Sequence, residues 1–149
     1  MPRRLLRAGV LAGVLTGIVD GMFATVLSVF FYDSTFARLW TSVASVLFGK
    51  NATVAAGLLM HFGVAFFWSA IFLLLWARSH ALQRVTSTMG GVLMVAAVYG
   101  PLIWMVMSLL VIPTLMHRPP NVTARWWIQC IGHFPFVGLP IVASVSKRR

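Results

Sequence analysis

The sequence predicts an all-α integral membrane protein, a bundle of four transmembrane helices with a short amphipathic helix in the first outer loop. Of the 149 residues, 60% are hydrophobic and 9% are charged. The apolar residues form runs close to the ~20 residues that a bilayer core requires. The net charge is +10, but Lys and Arg lie at the ends of these runs, where they fix topology and contact lipid head groups. This placement favours the lipid bilayer, and not nucleic acid, as the partner of the basic residues.

Four apolar runs define the spans of one predicted transmembrane domain, residues 1–149. The spans are residues 9–32, 53–76, 89–112 and 127–146. The first run follows a basic stretch, as in a secretory signal, but it is too long for one and carries an acid in its middle. We therefore expect it to be retained as a transmembrane helix. Pro101 interrupts the third run, and Pro135 and Pro140 interrupt the fourth, so we expect kinks where proline removes an amide donor.

The distribution of basic residues predicts that both termini lie in the cytoplasm. The segments placed inside by this orientation hold Arg3, Arg4, Arg7, Arg78, Arg84, Lys147, Arg148 and Arg149. The outer loops hold Arg38, Lys50, Arg118 and Arg125. Because Lys and Arg favour the cytoplasmic side, this bias of eight against four predicts a multi-pass protein of the cell inner (plasma) membrane in that orientation.

Part of the first outer loop has the pattern of an amphipathic helix. Its apolar face consists of Phe36, Leu39, Trp40, Val43 and Leu47. Ser34 or Thr35 can cap its start, and Gly49 can end it. Two placements fit the pattern: the helix lies in the outer interface of the membrane with Trp40 at head-group level, or its apolar face packs on the bundle.

Small residues line one face of the first span. Gly9, Gly13, Gly17 and Gly21 recur every fourth residue, which aligns them on one stripe of a helix. We expect a second helix to pack closely against this stripe, which also offers an interface between copies of the chain. The neighbouring stripe carries Asp20 near the middle of the span. Because a carboxylate that faces lipid costs about 2.5–3.5 kcal/mol, Asp20 is expected to face protein, water or a partner.

Four polar side chains are predicted to lie at similar depths in the membrane. At ~1.5 Å per residue, Asp20 and Tyr99 lie roughly 15–16 Å from the inner boundary. His61 and His133 lie about 9–12 Å below the outer boundary. In a core of ~30 Å, these depths agree to within about 6 Å. The sequence therefore predicts a polar cluster of these four residues inside the membrane.

Three interpretations of this cluster remain open. In the first it is structural: Asp20 pairs with His61, Tyr99 or Ser69 completes the hydrogen bonds, and the protein acts through a partner, as a homo-oligomer or with another membrane protein. In the second, Asp20 and His61 form the proton relay of a small transporter or leak. In the third, His61 and His133 are the axial ligands of a haem.

Other site chemistries find no support in the sequence. With two acids, no serine-centred turn, no phosphate-binding loop and no His-x-x-x-His pair, the patterns of hydrolases and transferases are missing, and we expect no enzyme activity. Cys130 is the single cysteine, which excludes an intramolecular disulfide and a cysteine-based metal cluster. Apart from the haem alternative, no cofactor or metal is predicted.

The order of short motifs resembles that of an uncharacterised family of small bacterial inner-membrane proteins with four predicted helices. The motifs are Gly13-x3-Gly17-x2-Asp20 in the first span, Leu47-Phe48-Gly49 in the loop, Leu58-x2-His61-Phe62 in the second span, and Tyr99-Gly100 with Val111-x-Pro113 in the third. The resemblance covers residues 9 to about 143. It implies the membrane location and the topology, and it supplies no activity. The chain is also distantly similar to inner-membrane proteins linked to acid tolerance.

Overall fold

Helices account for most of residues 3–147, the part of the chain that the computed structural model describes. They are α1 (Arg3–Phe31), α2 (Phe36–Phe48), α3 (Val54–Arg78), α4 (His80–Val85), α5 (Met89–Met116) and α6 (Ala124–Ser146). Helices α1, α3, α5 and α6 are long and apolar enough to cross a membrane. The predicted all-α fold with four spans is confirmed, and the architecture is that of a multi-pass membrane protein.

The span boundaries agree with the prediction to within a few residues, with larger differences in α1 and α5. The basic turn at the start of α1 is helical, so α1 begins at Arg3 and not at residue 9. Helix α5 passes through Pro113, beyond the predicted end at residue 112. Residues Val106–Val111 form a wider π-helical turn, and Pro113 stands in the first α-helical turn that follows. Pro113 has no N–H to donate, and the π-helical turn lies directly before the position where that intrahelical hydrogen bond is lost.

The predicted interruption of the fourth span is also a π-helical turn. Residues Phe134–Gly138 form this turn, which begins next to Pro135 and ends before Pro140. Half of the apolar window of α6 is buried within the protein, against 22–28% in the other spans. Helix α6 is therefore the most enclosed span, and its weaker apolar pattern reflects contacts with protein in place of lipid.

Helices α1 and α6 lie between α3 and α5. Helix α1 packs on α3 and α6, and α6 packs along α5. Within residues 3–147, α3 and α5 do not pack along their length. Helix α2 lies across one end, where it packs on α3 and reaches the last turn of α5. We call this end, with residues 32–53 and 117–123, the α2 end, and the opposite end the α4 end.

The hydrophobic core fills the half of the bundle at the α4 end. Its buried members are Ala12, Phe72, Leu73, Trp76, Val92, Ala96, Tyr99, Ile103, Val137, Ile141, Val142 and Val145. Two hydrogen bonds tie α4 and the following turn to this core: Trp76 Nε1 donates to Thr86 Oγ1 at 3.0 Å, and Gln83 Nε2 donates to the Trp76 carbonyl at 2.9 Å. This half of the bundle is closed by packed side chains.

Helix α2 packs on the bundle, which is the second of its two predicted placements. Thr35 caps it by accepting a hydrogen bond from the Arg38 amide at 3.1 Å, and Gly49 ends it with a φ of 51°. Trp40 is only 2% exposed, and its carbonyl lies so close to Gly57 on α3 that a Cβ there would overlap it. Trp40 therefore faces the interior of the bundle and not lipid.

The glycine stripe of α1 packs against α3 within the chain. Cβ atoms at Gly9, Gly13, Gly17 and Gly21 would contact the side chains of Leu73, Phe66, Phe62 and His61, respectively. The expected close packing is thus present, but side chains of α3 fill the groove in place of its backbone. Because α3 occupies the stripe, the stripe is not available as an interface between copies, and the sequence-based expectation on this point is corrected.

Two other glycines bring the backbones of α5 and α6 into contact. A Cβ on Gly100 would overlap the carbonyl of His133, and a Cβ on Gly138 would overlap the carbonyl of Ala96. Because backbone atoms form both contacts, neither position can accept a side chain unless the helices move apart.

The orientation in the membrane can be tested by cysteine labelling. In a Cys130→Ala background, Asn121→Cys is expected to react with an impermeant maleimide added to intact cells, because the charge bias places the α2 end outside. His80→Cys is expected to react only after lysis. Arg148 and Arg149, which contribute to the bias, lie outside the described residues. Labelling of His80→Cys in intact cells would reverse the proposed orientation.

Candidate functional site

A cavity of about 510 Å³ occupies the half of the bundle at the α2 end. All four spans and α2 line it. Its walls include Thr16 and Asp20 of α1, His61 and Trp68 of α3, and His133 of α6. Its volume lies in the range of ~300–1,000 Å³ that is usual for small-molecule sites. Three of the four predicted site residues therefore line one cavity.

Asp20 and His61 face each other from α1 and α3. His61 Nδ1 lies 4.0 Å from Asp20 Oδ2, and each side chain is 15% exposed. The separation is too long for a direct hydrogen bond, but charges this close interact strongly away from bulk water. The other ring nitrogen, His61 Nε2, lies 2.9 Å from the Gly17 carbonyl. The glycine stripe makes this approach possible, since a Cβ on Gly21 would lie 3.3 Å from His61 Nε2.

The Gly17 carbonyl determines which nitrogen of neutral His61 carries its proton. A carbonyl only accepts hydrogen bonds, so Nε2 must hold the N–H that it receives. In the neutral ring, Nδ1 is then an acceptor, and it is the nitrogen nearer to Asp20. A favourable contact between Nδ1 and the carboxyl group needs one further proton, either on Asp20 or on Nδ1. The pair can thus hold one exchangeable proton.

The hydrogen bonds around Asp20 are incomplete. Among the described residues, Asp20 Oδ1 is buried without a hydrogen-bond partner, and so are Thr16 Oγ1 and Trp68 Nε1. The great majority of buried polar groups in proteins are paired. Together with Trp40 Nε1, four unpaired groups belong to residues that line this cavity. Such groups are what a site for protons or polar solutes contains, and they differ from the closed network that would fix helix register.

His133 reaches the same cavity from α6. Its Nδ1 lies 2.7 Å from the Gln129 carbonyl, and its ring packs on Trp104 with a centroid separation of 4.8 Å. By the argument used for His61, Nδ1 holds the proton, and Nε2 is the nitrogen left for a further contact. A haem held by both histidines would need Nε2 of His133 and either Nδ1 of His61, which faces Asp20, or Nε2 of His61, which bonds to Gly17. The geometry thus suits proton exchange better than axial ligation.

Tyr99 lies apart from the other three predicted residues. Its hydroxyl donates to the Trp68 carbonyl at 2.7 Å, and its ring packs on Phe72 with a centroid separation of 5.0 Å. This hydrogen bond connects α5 to α3, which otherwise make few contacts in the described part of the chain. Tyr99 is a member of the core below the cavity and not a member of its lining.

Several residues at the cavity were not singled out as site residues by the sequence. Trp40 packs edge to face against His61 with a centroid separation of 5.0 Å, although the pattern of α2 assigned it only to an apolar face. Arg118 also lines the cavity, whereas the charge bias assigned Arg118 only a role in topology. The one sequence signal for this role is that Arg118 and Arg125 lie close together between the third and fourth spans.

Comparisons of the chain with models of protein families, with curated proteins and with solved structures find no match. The function proposed below is inferred from the geometry of Asp20, His61 and the cavity.

Proposed function

We propose that this chain is a small proton-linked transporter of the inner membrane, in which Asp20 and His61 hold the coupled proton. The observation that carries the proposal is the arrangement of this pair. His61 donates to Gly17 through Nε2 and turns its other nitrogen toward Asp20, beside a cavity of about 510 Å³. A titratable pair in the wall of a solute-sized cavity has the position that proton coupling requires.

A purely structural role accounts for His61 but not for Asp20. The bond from His61 to the Gly17 carbonyl is enough to join α1 to α3. Burying the carboxyl group of Asp20 in the same span costs stability. Its contacts recover little of that cost, because Oδ1 has no hydrogen-bond partner among residues 3–147 and Oδ2 lies 4.0 Å from His61 Nδ1. A residue with such a cost is better explained by its chemistry than by its packing.

A transporter is favoured over a leak because packed side chains close the half of the bundle at the α4 end. The core of the α4 end fills the bundle below the cavity, and the Tyr99–Trp68 hydrogen bond connects α3 to α5 at the boundary. A proton or solute in the cavity has no open path to the α4 end in this conformation. Passage requires a second conformation in which this hydrogen bond breaks and the packed core at the α4 end opens, as alternating access demands.

With both termini in the cytoplasm, the cavity faces the outside of the cell. A solute and a proton then enter from the α2 end, and the proton resides on the pair during the conformational change. We propose no enzyme activity, and we propose that the functional unit is one chain in the bilayer or an oligomer that uses a surface other than the glycine stripe.

The proposal is tested by measuring proton flux into liposomes that contain the purified protein. An internal pH-sensitive dye reports acidification after the external pH is lowered, with valinomycin and potassium present to compensate the charge. If the wild-type protein can return to its starting conformation without a bound solute, proton flux above that of protein-free liposomes is expected. If it can return only with a solute bound, proton flux is expected once a co-transported solute is added. Flux equal to the protein-free rate in the presence of a broad mixture of small solutes would refute the proposal.

A further inference from the structure

We call the cavity of about 510 Å³ beside Asp20 the central cavity. A second cavity, of about 480 Å³, adjoins it at the α2 end. Both cavities are lined by Trp104, Ile112, Met116, Arg118 and Gln129. We call the second cavity the mouth, because it lies between the loop of residues 117–123 and the adjoining ends of α5 and α6. A solute that enters the central cavity from this side passes the side chains of the mouth.

The mouth carries positive charge. Arg118 and Arg125 both line it, and no acidic residue does so in the described part of the chain. Arg125 is held in place: its Nη2 donates to Ser28 Oγ at 2.8 Å, and its guanidinium lies 4.4 Å from the centroid of the Tyr32 ring. Neither arginine forms a salt bridge within residues 3–147. Two guanidinium groups without a carboxylate partner attract and bind anions, and they repel cations.

The central cavity behind the mouth has mainly apolar walls. Its lining includes Ile103, Met107, Val111 and Leu115 from α5 and Val64 from α3. A small, strongly hydrated anion gains little from such walls and has to lose its water there. An anion with an apolar body gains the free energy of burying that body. The mouth and the walls together thus select for a molecule with one anionic end and an apolar remainder.

We propose that the central cavity binds a lipophilic monocarboxylate, an inference that rests on the proposed function and names its substrate class. The carboxylate pairs with Arg118, which lines both cavities, while Arg125 adds positive charge at the mouth. The apolar body extends between α3 and α5 toward Asp20. When the body fills the cavity it excludes water from Asp20, so the anion binds best when the Asp20–His61 pair holds its proton. One proton and one carboxylate then move together, and the transported charge is zero.

The size of the cavity favours a free acid over a membrane lipid. A two-chain anionic phospholipid also has an anionic end and an apolar remainder, but most of its chains would have to stay outside a cavity of about 510 Å³. A single short chain or an aromatic acid fits within it.

The test measures octanoate binding to the purified protein in a neutral detergent, with octylammonium as a probe of the same length and opposite charge. Octanoate is expected to bind, and octylammonium is not. Arg118→Gln, at an exposed loop position, is expected to weaken octanoate binding roughly tenfold or more, as loss of a charge-assisted hydrogen bond does. Arg38→Gln is the matched control, because Arg38 is exposed at the same end and lines neither cavity. The Arg38→Gln protein is expected to bind octanoate with the affinity of the wild type.

Three results would overturn the inference: no octanoate binding, equal binding of octylammonium, or equal affinity in Arg118→Gln and the wild type. Displacement of octanoate by phosphatidylglycerol at lower concentration than by decanoate would also overturn it and assign the cavity to lipid. The two proposals fail separately. Octanoate binding that depends on Arg118 but is unchanged by pH retains the substrate class, and it removes the coupling of the carboxylate to a proton and with it the proton-linked function. Proton flux that depends on Asp20, without octanoate binding, retains the proton-linked function and removes the lipophilic monocarboxylate as its substrate class.

Discussion

Replacing Asp20 with asparagine is expected to reduce proton flux in liposomes to the rate of protein-free vesicles, while the protein stays folded. Asparagine has nearly the shape of aspartate and can still donate and accept hydrogen bonds, but it holds no exchangeable proton. Because Asp20 lies in the membrane without a full set of hydrogen bonds among residues 3–147, loss of its charge is expected to leave thermal stability equal or higher. Flux and melting temperature are measured on the same preparation.

The same flux measurement is made on variants of His61, the partner of Asp20. His61→Gln is expected to lower flux as well, and the double variant is expected to be no worse than the more severe single variant, because two residues that hold one proton act as a unit. Asp33→Asn is the matched control, since Asp33 is the other acid of the sequence and lies outside the cavity lining. Wild-type flux in a stable Asp20→Asn protein would leave Asp20 as a packing residue.

Gly100→Ala is expected to destabilise the protein, because the contact between α5 and α6 leaves no room for a side chain at this position. The new Cβ would overlap the His133 carbonyl and lie 3.0 Å from the Gly138 amide nitrogen, so α6 has to move away from α5. Overpacking of this kind costs about 1–3 kcal/mol, and rigid backbone on both sides places this site at the upper end. The check is the melting temperature in detergent, which is expected to fall.

The control for Gly100→Ala is Gly63→Ala. Gly63 lies inside α3, and nothing stands within 4 Å of its added Cβ. Alanine there is expected to leave the melting temperature unchanged or raise it, because alanine is favoured over glycine in helices by about 1 kcal/mol. Equal loss of stability in both variants would show that the α5–α6 contact is not as close as described.

The spans and the caps were predictable because both depend on local sequence. Apolar length determines the four spans, and the hydroxyl of Thr35 caps α2 as its position before the apolar face predicts. The two placements of α2 could not be separated in advance. An apolar face suits lipid and protein equally, and only the contact between the Trp40 carbonyl and Gly57 decides between them.

The candidate site was predictable only in part, because a cavity depends on which helices are neighbours. The predicted depths placed Asp20 and His61 at one level of the membrane. Depth does not tell toward which neighbouring helix a side chain points. Tyr99 has the same predicted depth and yet points into the core, where it bonds to Trp68. The mouth with Arg118 exists because α3 and α5 are not packed against each other beneath α2. Which helices are neighbours cannot be predicted from local sequence patterns.

Infrared spectroscopy of the protonated carboxyl group tests the central claim most directly. The sequence has only two acidic side chains, so a carboxylic acid C=O band from inside the membrane can be assigned with one variant. We predict such a band in the wild type, diminishing as the pH is raised, absent from Asp20→Asn and retained in Asp33→Asn. A wild-type spectrum without a titrating carboxylic acid band that Asp20→Asn removes would contradict the assignment of an exchangeable proton to the Asp20–His61 pair.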